Sequence, residues 1–177
     1  MEMRDYAVLM ATYNGWMNDK LYAAAAQLPV QELMADRGAF FGSVFGTLNH
    51  IVVADTVWLK RFATHPAGFP ALDPVRGLPL PGALGELQVA DMAALRQRRQ
   101  LIDSAMLDWT ATLVDEQMGH ILHYTNSRGP SSKRFADLVR HFFNHQTHHR
   151  GQASTLLSQA GVDIGSTDLL DLIPNQA

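Results

Sequence analysis

The chain contains no cysteine. Disulfides, thiolate ligands and a cysteine nucleophile are therefore excluded, and any metal ion must be held by histidine, carboxylate or water. The N-terminal stretch also lacks a long apolar run and carries acidic residues. We therefore predict neither a signal peptide nor a membrane span, and we expect a cytoplasmic protein with no membrane partner.

Positive charge is scarce, with 14 Lys and Arg against 17 Asp and Glu and a net charge of −3. A nucleic-acid surface normally needs a basic face, so we expect no nucleic-acid partner. The one basic cluster, Arg96, Arg98 and Arg99, is spread round a predicted helix, and we interpret it as a solvated surface. The length of 177 residues, without an internal repeat, predicts one domain spanning 1–177.

Four segments show the three- and four-residue apolar spacing of amphipathic helices. They are predicted at about 5–27, 43–64, 86–114 and from Ser131 or Ser132 to Gly161. The segment 65–85 holds five of the eight prolines, which predicts an irregular crossover loop, and 118–130 favours a strand or small hairpin. The pattern predicts an all-α antiparallel four-helix bundle with a long crossover loop.

Four of the eight histidines lie within nine residues of the predicted fourth helix. At about 100° of rotation per residue, His149 falls inside the sector of the apolar face and His145 at its edge, whereas His141 and His148 lie near solvent. Two inward imidazoles one turn apart suit a transition-metal ion. The alternative is a pair of core histidines that are hydrogen-bonded to their neighbours.

Other polar residues are predicted near this face. Asp55 lies away from the polar strip of the second helix, where a carboxylate needs a partner, either a histidine or a Tyr, Trp or Arg. Gln152 lies near the direction of His145, while Arg150 is expected to anchor a neighbouring helix. Gly151 in mid-helix costs about 1 kcal/mol relative to Ala, which suggests close approach of another helix or of a neighbour of the metal site.

The chain resembles the DinB family in three stretches that follow the family's order. They are Tyr13-Asn-Gly-Trp16 in the first helix, Leu48-Asn-His50 with Asp55, Trp58 and Arg61 in the second, and His145-Gln-Thr-His-His149-Arg150-Gly151-Gln152 in the fourth.

The resemblance implies a four-helix bundle with a divalent metal ion bound by three histidines, which fall here at His50, His145 and His149. Helical rotation selects the fourth-helix pair independently, but His50 is chosen by the resemblance alone over His65, His120 and His123. Zinc and nickel both suit three imidazoles. Each ligand's second ring nitrogen needs an acceptor, for which Asp55, the Tyr13 hydroxyl and a backbone carbonyl are candidates.

The resemblance also implies chemistry. The wider DinB/YfiT-like superfamily includes thiol S-transferases and a thiol-dependent isomerase, so we place transfer of a low-molecular-weight thiol ahead of hydrolysis, with the substrate unknown. Gln146 stands where a zinc peptidase carries its glutamate base, so peptidase chemistry is not supported and no general base is identified. The alternatives are a non-catalytic metal-binding or stress-response protein and a structural helical module. We expect a homodimer.

Overall fold

The computed structural model describes residues 2–175, and within this range the chain is mostly helical. The helices are α1 (Met3–Ala25), α2 (Val30–Met34), α3 (Val44–Phe62), α4 (Asp73–Arg76), α5 (Met92–Ala111), α6 (Asp115–Met118) and α7 (Phe135–Gln159), with short 3₁₀ turns at Pro70–Leu72 and Leu169–Leu172. An antiparallel pair of strands, β1 (Ile121–Asn126) and β2 (Gly129–Arg134), precedes α7. The prediction of a mostly helical chain with a small hairpin is confirmed.

The four long helices pack on one another, with α1 and α3 each in contact with both α5 and α7. A cluster of buried aromatic rings joins three of them. The Phe62 ring of α3 lies 5.2 Å from Trp109 of α5 and 5.4 and 5.5 Å from Phe135 and Phe142 of α7. Burying such large side chains contributes about 2–3 kcal/mol each, so this cluster fixes α3 against α7.

The helix boundaries differ from the sequence prediction at two places. Helix α7 begins at Phe135, not at Ser131 or Ser132, because both serines pair with β1, as partners of Tyr124 and His123. The prediction was wrong because serine is a common N-cap and was interpreted as one here. Serine also occurs in strands, and the residue type alone does not distinguish the two positions.

Helix α5 begins at Met92, where the Asp91 side chain accepts a hydrogen bond from the amide of Ala94, so the predicted start near 86 was wrong. The preceding residues are tied to α3 instead. The side-chain Nδ2 of Asn49 donates to the backbone carbonyl of Glu86 at 2.9 Å, and the backbone N–H of Gln88 donates to Asn49 Oδ1 at 3.1 Å.

The predicted crossover loop contains more regular structure than expected. Pro70 is the first residue of a 3₁₀ turn and Pro74 the second residue of α4, both within a first turn, where the missing N–H of proline costs no helical hydrogen bond. Leu72 and Val75 of these turns are fully buried. The loop is therefore fixed to the core along part of its length.

A polar layer crosses the interior between α1, α3 and α5. Arg99, only 2% exposed, forms ion pairs with Asp55 at 2.5 Å and with Asp103 at 3.0 Å. Asn14 and Asn18 donate to Asp103 Oδ1 at 2.8 and 3.0 Å. The interpretation of Arg99 as part of a solvated surface was therefore wrong.

Within residues 2–175, no helix combines the length and the apolar character required to cross a membrane.

Candidate metal centre

Three imidazoles from two helices converge on one point. The Nε2 atom of His149 lies 3.2 Å from His50 Nε2 and 3.1 Å from His145 Nε2. All three donor atoms lie within 4.8 Å of one another, a grouping that could hold a metal ion. His145 and His149 share one face of α7 because they are one turn apart, and the packing of α3 on α7 brings His50 to the same place.

Hydrogen bonds on the other ring nitrogens determine which nitrogens are free. His50 Nδ1 lies 2.9 Å from the carbonyl oxygen of Leu84, which can only accept, so Nδ1 carries the proton and the neutral ring presents a bare Nε2. His149 Nδ1 donates to Gln152 Oε1 at 2.7 Å, with the same consequence. Two lone pairs therefore face each other across 3.2 Å, an unfavourable arrangement unless a cation lies between them.

Burial keeps these imidazoles neutral. It lowers the pKa of His50 to about 4 and the pKa of His145 to about 3, and it also lowers the pKa of His149. At neutral pH the rings therefore have lone pairs available for a metal. Metal–nitrogen bonds of about 2.0–2.1 Å in a tetrahedral site require nitrogen–nitrogen separations of roughly 3.3 Å. The two separations from His149, 3.1 and 3.2 Å, are close to this value, and all three donor atoms lie within 4.8 Å of one another.

An aromatic side chain that was not identified from the sequence covers the centre. The Phe41 ring stacks on the His50 ring at 3.7 Å with an interplanar angle of 15° and meets the edge of His149 at 5.7 Å. Phe41 lies in the connection between α2 and α3, and Leu84 lies in the crossover loop. Neither segment has a periodicity that would have marked them.

Of the three side chains proposed as partners of the ligands, only Gln152 contacts one of them. Gln152 accepts from His149. Asp55 instead pairs with Arg99, the arginine alternative among its possible partners. The Tyr13 hydroxyl donates to the Thr167 carbonyl at 2.7 Å, which ties the C-terminal segment to α1.

The remaining histidines lie outside the centre. His141 and His148 are exposed on α7, and the His141 ring lies 5.1 Å from that of Trp58. His65 and His120 are adjacent, with ring centroids 4.5 Å apart, while His123 Nδ1 lies 2.7 Å from the Ser132 hydroxyl.

The residues that follow His149 have separate roles. Arg150 is 2% exposed, donates to Asn14 Oδ1 of α1 and lies over the Tyr13 ring, with its Cζ 5.1 Å from the ring centroid. It anchors α7 to α1, as expected. Gly151 is exposed, and a Cβ there would meet nothing within 4 Å. The close approach inferred from this glycine, of another helix or of a neighbour of the metal site, was therefore wrong.

A cavity of about 470 Å³ opens beside the centre, with His50, His145 and also His141 in its wall. Apolar side chains of α3 and residues 80–84 of the crossover loop form most of the lining, and Arg61 lies in the wall on α3, eleven residues beyond His50. No carboxylate is among the described residues that line it. The centre thus lies next to a largely apolar space of a size suited to a small molecule.

Fold and site together define a mostly helical protein with three convergent imidazoles beside a small-molecule cavity. The chain belongs to the DinB family, whose profile matches residues 3–176, so the family resemblance is confirmed. It is 26% identical over 172 residues to a relative named "Protein DinB" from Bacillus subtilis (strain 168), with 94% of this chain and 92% of that protein covered. No solved structure gives a significant match.

Proposed function

We propose that the protein binds a divalent transition metal, zinc or nickel, through His50, His145 and His149. The convergence of three neutral Nε2 atoms, two of them held bare by acceptors on Nδ1, carries this proposal. When bound, such an ion supplies a Lewis acid that polarises a carbonyl or lowers the pKa of a coordinated thiol or water.

We further propose that the protein is a metal-dependent enzyme that transfers a low-molecular-weight thiol to an electrophile. The cavity carries the argument, because its described lining contains no carboxylate, and the one imidazole in it besides the ligands, His141, has a pKa that burial lowers, so it is neutral at neutral pH. Hydrolysis of an amide needs a proton donor for the leaving amine, a role for which neutral His141 is unsuited. In thiol transfer a metal held by the three histidines would lower the pKa of the thiol, whose proton would pass to solvent or to His141 as the sulfur adds to the electrophile. Gln146, where a peptidase has glutamate, is buried with its Nε2 3.8 Å from Met106 Sδ.

Activity assays of the zinc- and nickel-loaded protein test the enzyme proposal. Bacillithiol and mycothiol are each combined with a panel of electrophiles, and a parallel panel of esters and amides measures hydrolysis. We expect thiol conjugation that is lost in His145→Ala and kept in His148→Ala, a histidine on the exposed side of the same helix. Activity in neither panel would overturn the enzyme proposal, and hydrolysis alone would replace thiol transfer.

The second candidate is a metal-binding protein without turnover, acting in binding or stress response. The absence of a carboxylate from the described cavity lining also favours this function. The two candidates differ in the metal's open position. An exchangeable bound water that titrates near neutrality supports the enzyme, and a closed coordination shell supports the binding protein.

The architecture and assembly form part of the same proposal. We propose that α1, α3, α5 and α7 form an antiparallel four-helix bundle and that 1–177 is one domain. The chain is proposed to be a cytoplasmic homodimer without a nucleic-acid partner. Light scattering of the full-length protein at several concentrations tests the dimer, and a monomer mass throughout would exclude it.

A further inference from the structure

The face of α3 that carries His50 continues as one wall of the cavity. Val53, Ala54 and Val57 follow His50 at helical spacing, and Arg61 ends the series. Eleven residues separate His50 from Arg61 in the sequence, a rise of roughly 16 Å along the helix axis. A ligand lying along α3 therefore passes from the three histidines over an apolar wall to a guanidinium.

Arg61 is held in place without a neutralising partner. Its Nη2 donates to the Thr125 carbonyl at 2.9 Å, and its Cζ lies 4.7 Å from the ring centroids of both Trp58 and Tyr124. None of the ion pairs formed among residues 2–175 includes Arg61. Arg99, by contrast, is neutralised by Asp55 and Asp103.

The aromatic rings and the carbonyl fix the guanidinium before any ligand arrives. An arginine stacked on aromatic faces loses little further freedom on binding, and its planar fork matches a carboxylate. Burial also lowers the pKa of Arg61, and a partly desolvated cation gains more from an anion than a fully hydrated one.

We propose that Arg61 recognises the carboxylate of a substrate whose apolar body fills the cavity and whose reactive end lies at the three histidines. The inference rests on the proposed function for the reactive end. The recognition of the anion depends only on Arg61 and the cavity. Arg61 is a specificity-determining residue, and the substrate class is an apolar compound with one carboxylate.

Ligand binding to the full-length protein, metal-free and zinc-loaded, tests the proposal. The probes are phenylbutyrate and the matching alcohol, phenylbutanol, which differ in the charged group. The readout is the indole N–H resonance of Trp58, which lines the cavity, while Trp16 on α1 and buried Trp109 serve as internal controls. We expect phenylbutyrate to shift the Trp58 resonance and to bind roughly ten- to hundredfold more tightly than the alcohol, as for a charge-assisted hydrogen bond.

Variants separate Arg61 from a general effect of positive charge. Arg61→Met should abolish the preference for the acid, and Arg61→Lys should keep part of it. Arg96→Met removes an exposed arginine of α5 and should leave the preference intact. Equal affinity of wild type for acid and alcohol, absence of a Trp58 shift at millimolar acid, or a preference kept in Arg61→Met would each overturn the proposal.

The two proposals fail separately in this design. A preference for the acid in the metal-free protein supports Arg61 recognition whether or not zinc binds. Zinc binding without that preference leaves the metal proposal standing and removes the one about Arg61. Equal affinity of wild type for acid and alcohol overturns the proposal even if Arg61→Met does not fold. In that case Arg61→Lys, which keeps the charge and loses the planar fork, assigns the preference: a preference unchanged in Arg61→Lys would also overturn the proposal.

Discussion

The Nε2 atoms of His50 and His149 lie 3.2 Å apart although 99 positions separate the two residues. Each ring has its Nδ1 next to an oxygen, the Leu84 carbonyl for His50 and the Gln152 amide for His149. The polypeptide thus fixes both tautomers so that two lone pairs meet. Two facing lone pairs repel each other unless a cation lies between them, and this is the arrangement expected for a pair of metal ligands.

Gln152 should tune metal affinity through the tautomer of His149. Gln152→Ala removes the acceptor on Nδ1, and we expect zinc affinity to fall roughly ten- to hundredfold, the usual effect of such a partner. Gln152→Glu keeps an acceptor and should retain affinity. Gln159→Ala, an exposed glutamine of the same helix, is the control. Competition with a zinc chelator measures these affinities, and an unchanged value for Gln152→Ala would show that the amide has no role in the centre.

Asp55 should stabilise the fold without affecting the metal. Burial raises the pKa of Asp55, and the Arg99 guanidinium opposes that rise. Asp55→Asn leaves Arg99 with one carboxylate in the interior, and we expect the free energy of unfolding to fall by about 3 kcal/mol or more. Asp137→Asn, which breaks exposed pairs, should cost less than about 1 kcal/mol.

Chemical denaturation and zinc titration of the Asp55 and Asp137 variants provide the measurements. Weakened zinc binding in a folded Asp55→Asn protein would instead place this carboxylate in contact with the centre.

Phe41 should slow the loss of metal. Its ring stacks on His50, and Phe41→Ala removes a contact worth about 0.5–1.5 kcal/mol, which corresponds to as much as a tenfold faster loss of zinc to excess chelator. Phe40 is unsuitable as a control, because its ring lies 4.9 Å from that of Phe41. Val30 of α2 is 74% exposed, so Val30→Ala is the control and should behave like wild type. Equal rates in both variants would mean that Phe41 does not cover the centre.

His65 should make stability depend on pH independently of the metal centre. Burial lowers the pKa of His65 below its usual 6.5, an effect opposed by the hydrogen bond to the Gln117 carbonyl and reinforced by the adjacent His120. The unfolded chain therefore takes up the proton first, and the free energy of unfolding falls as pH drops below about 6.5.

Chemical denaturation at several pH values between about 5 and 7.5 measures this dependence in the metal-free protein. His65→Gln should show a shallower slope than wild type, since the other histidines are common to both. Equal slopes would assign the pH dependence to those other histidines.

The sequence pattern of α7 was sufficient to predict two of the three candidate ligands. Helical rotation fixes the directions of His145 and His149, because 3.6 residues per turn leave little freedom within α7. His50 could not be reached in this way, since its contact with α7 depends on how two helices pack, and the family resemblance supplied it. The Leu84 carbonyl and the Phe41 ring lie in segments without periodicity, so neither was named beforehand.

The two incorrect helix starts and the buried arginine were predicted wrongly for the same reason: each depends on a contact with another element of the fold, which the local sequence does not show. Ser131 and Ser132 suit a strand as well as a cap, and the residues before Met92 are held by bonds to Asn49 on another helix. The charge of Arg99 and its place beside Arg96 and Arg98 predict a solvent-exposed side chain. Its burial depends on Asp55, 44 residues away in the sequence.

Metal content is the most direct test of the three-histidine centre. Full-length protein purified without a histidine tag is incubated with zinc, dialysed and measured by elemental mass spectrometry. We predict one zinc ion per chain in wild type and in His148→Ala, and strong loss of zinc in His50→Ala, His145→Ala and His149→Ala. The absence of zinc from wild type, or equal zinc in wild type and His145→Ala, would contradict the account.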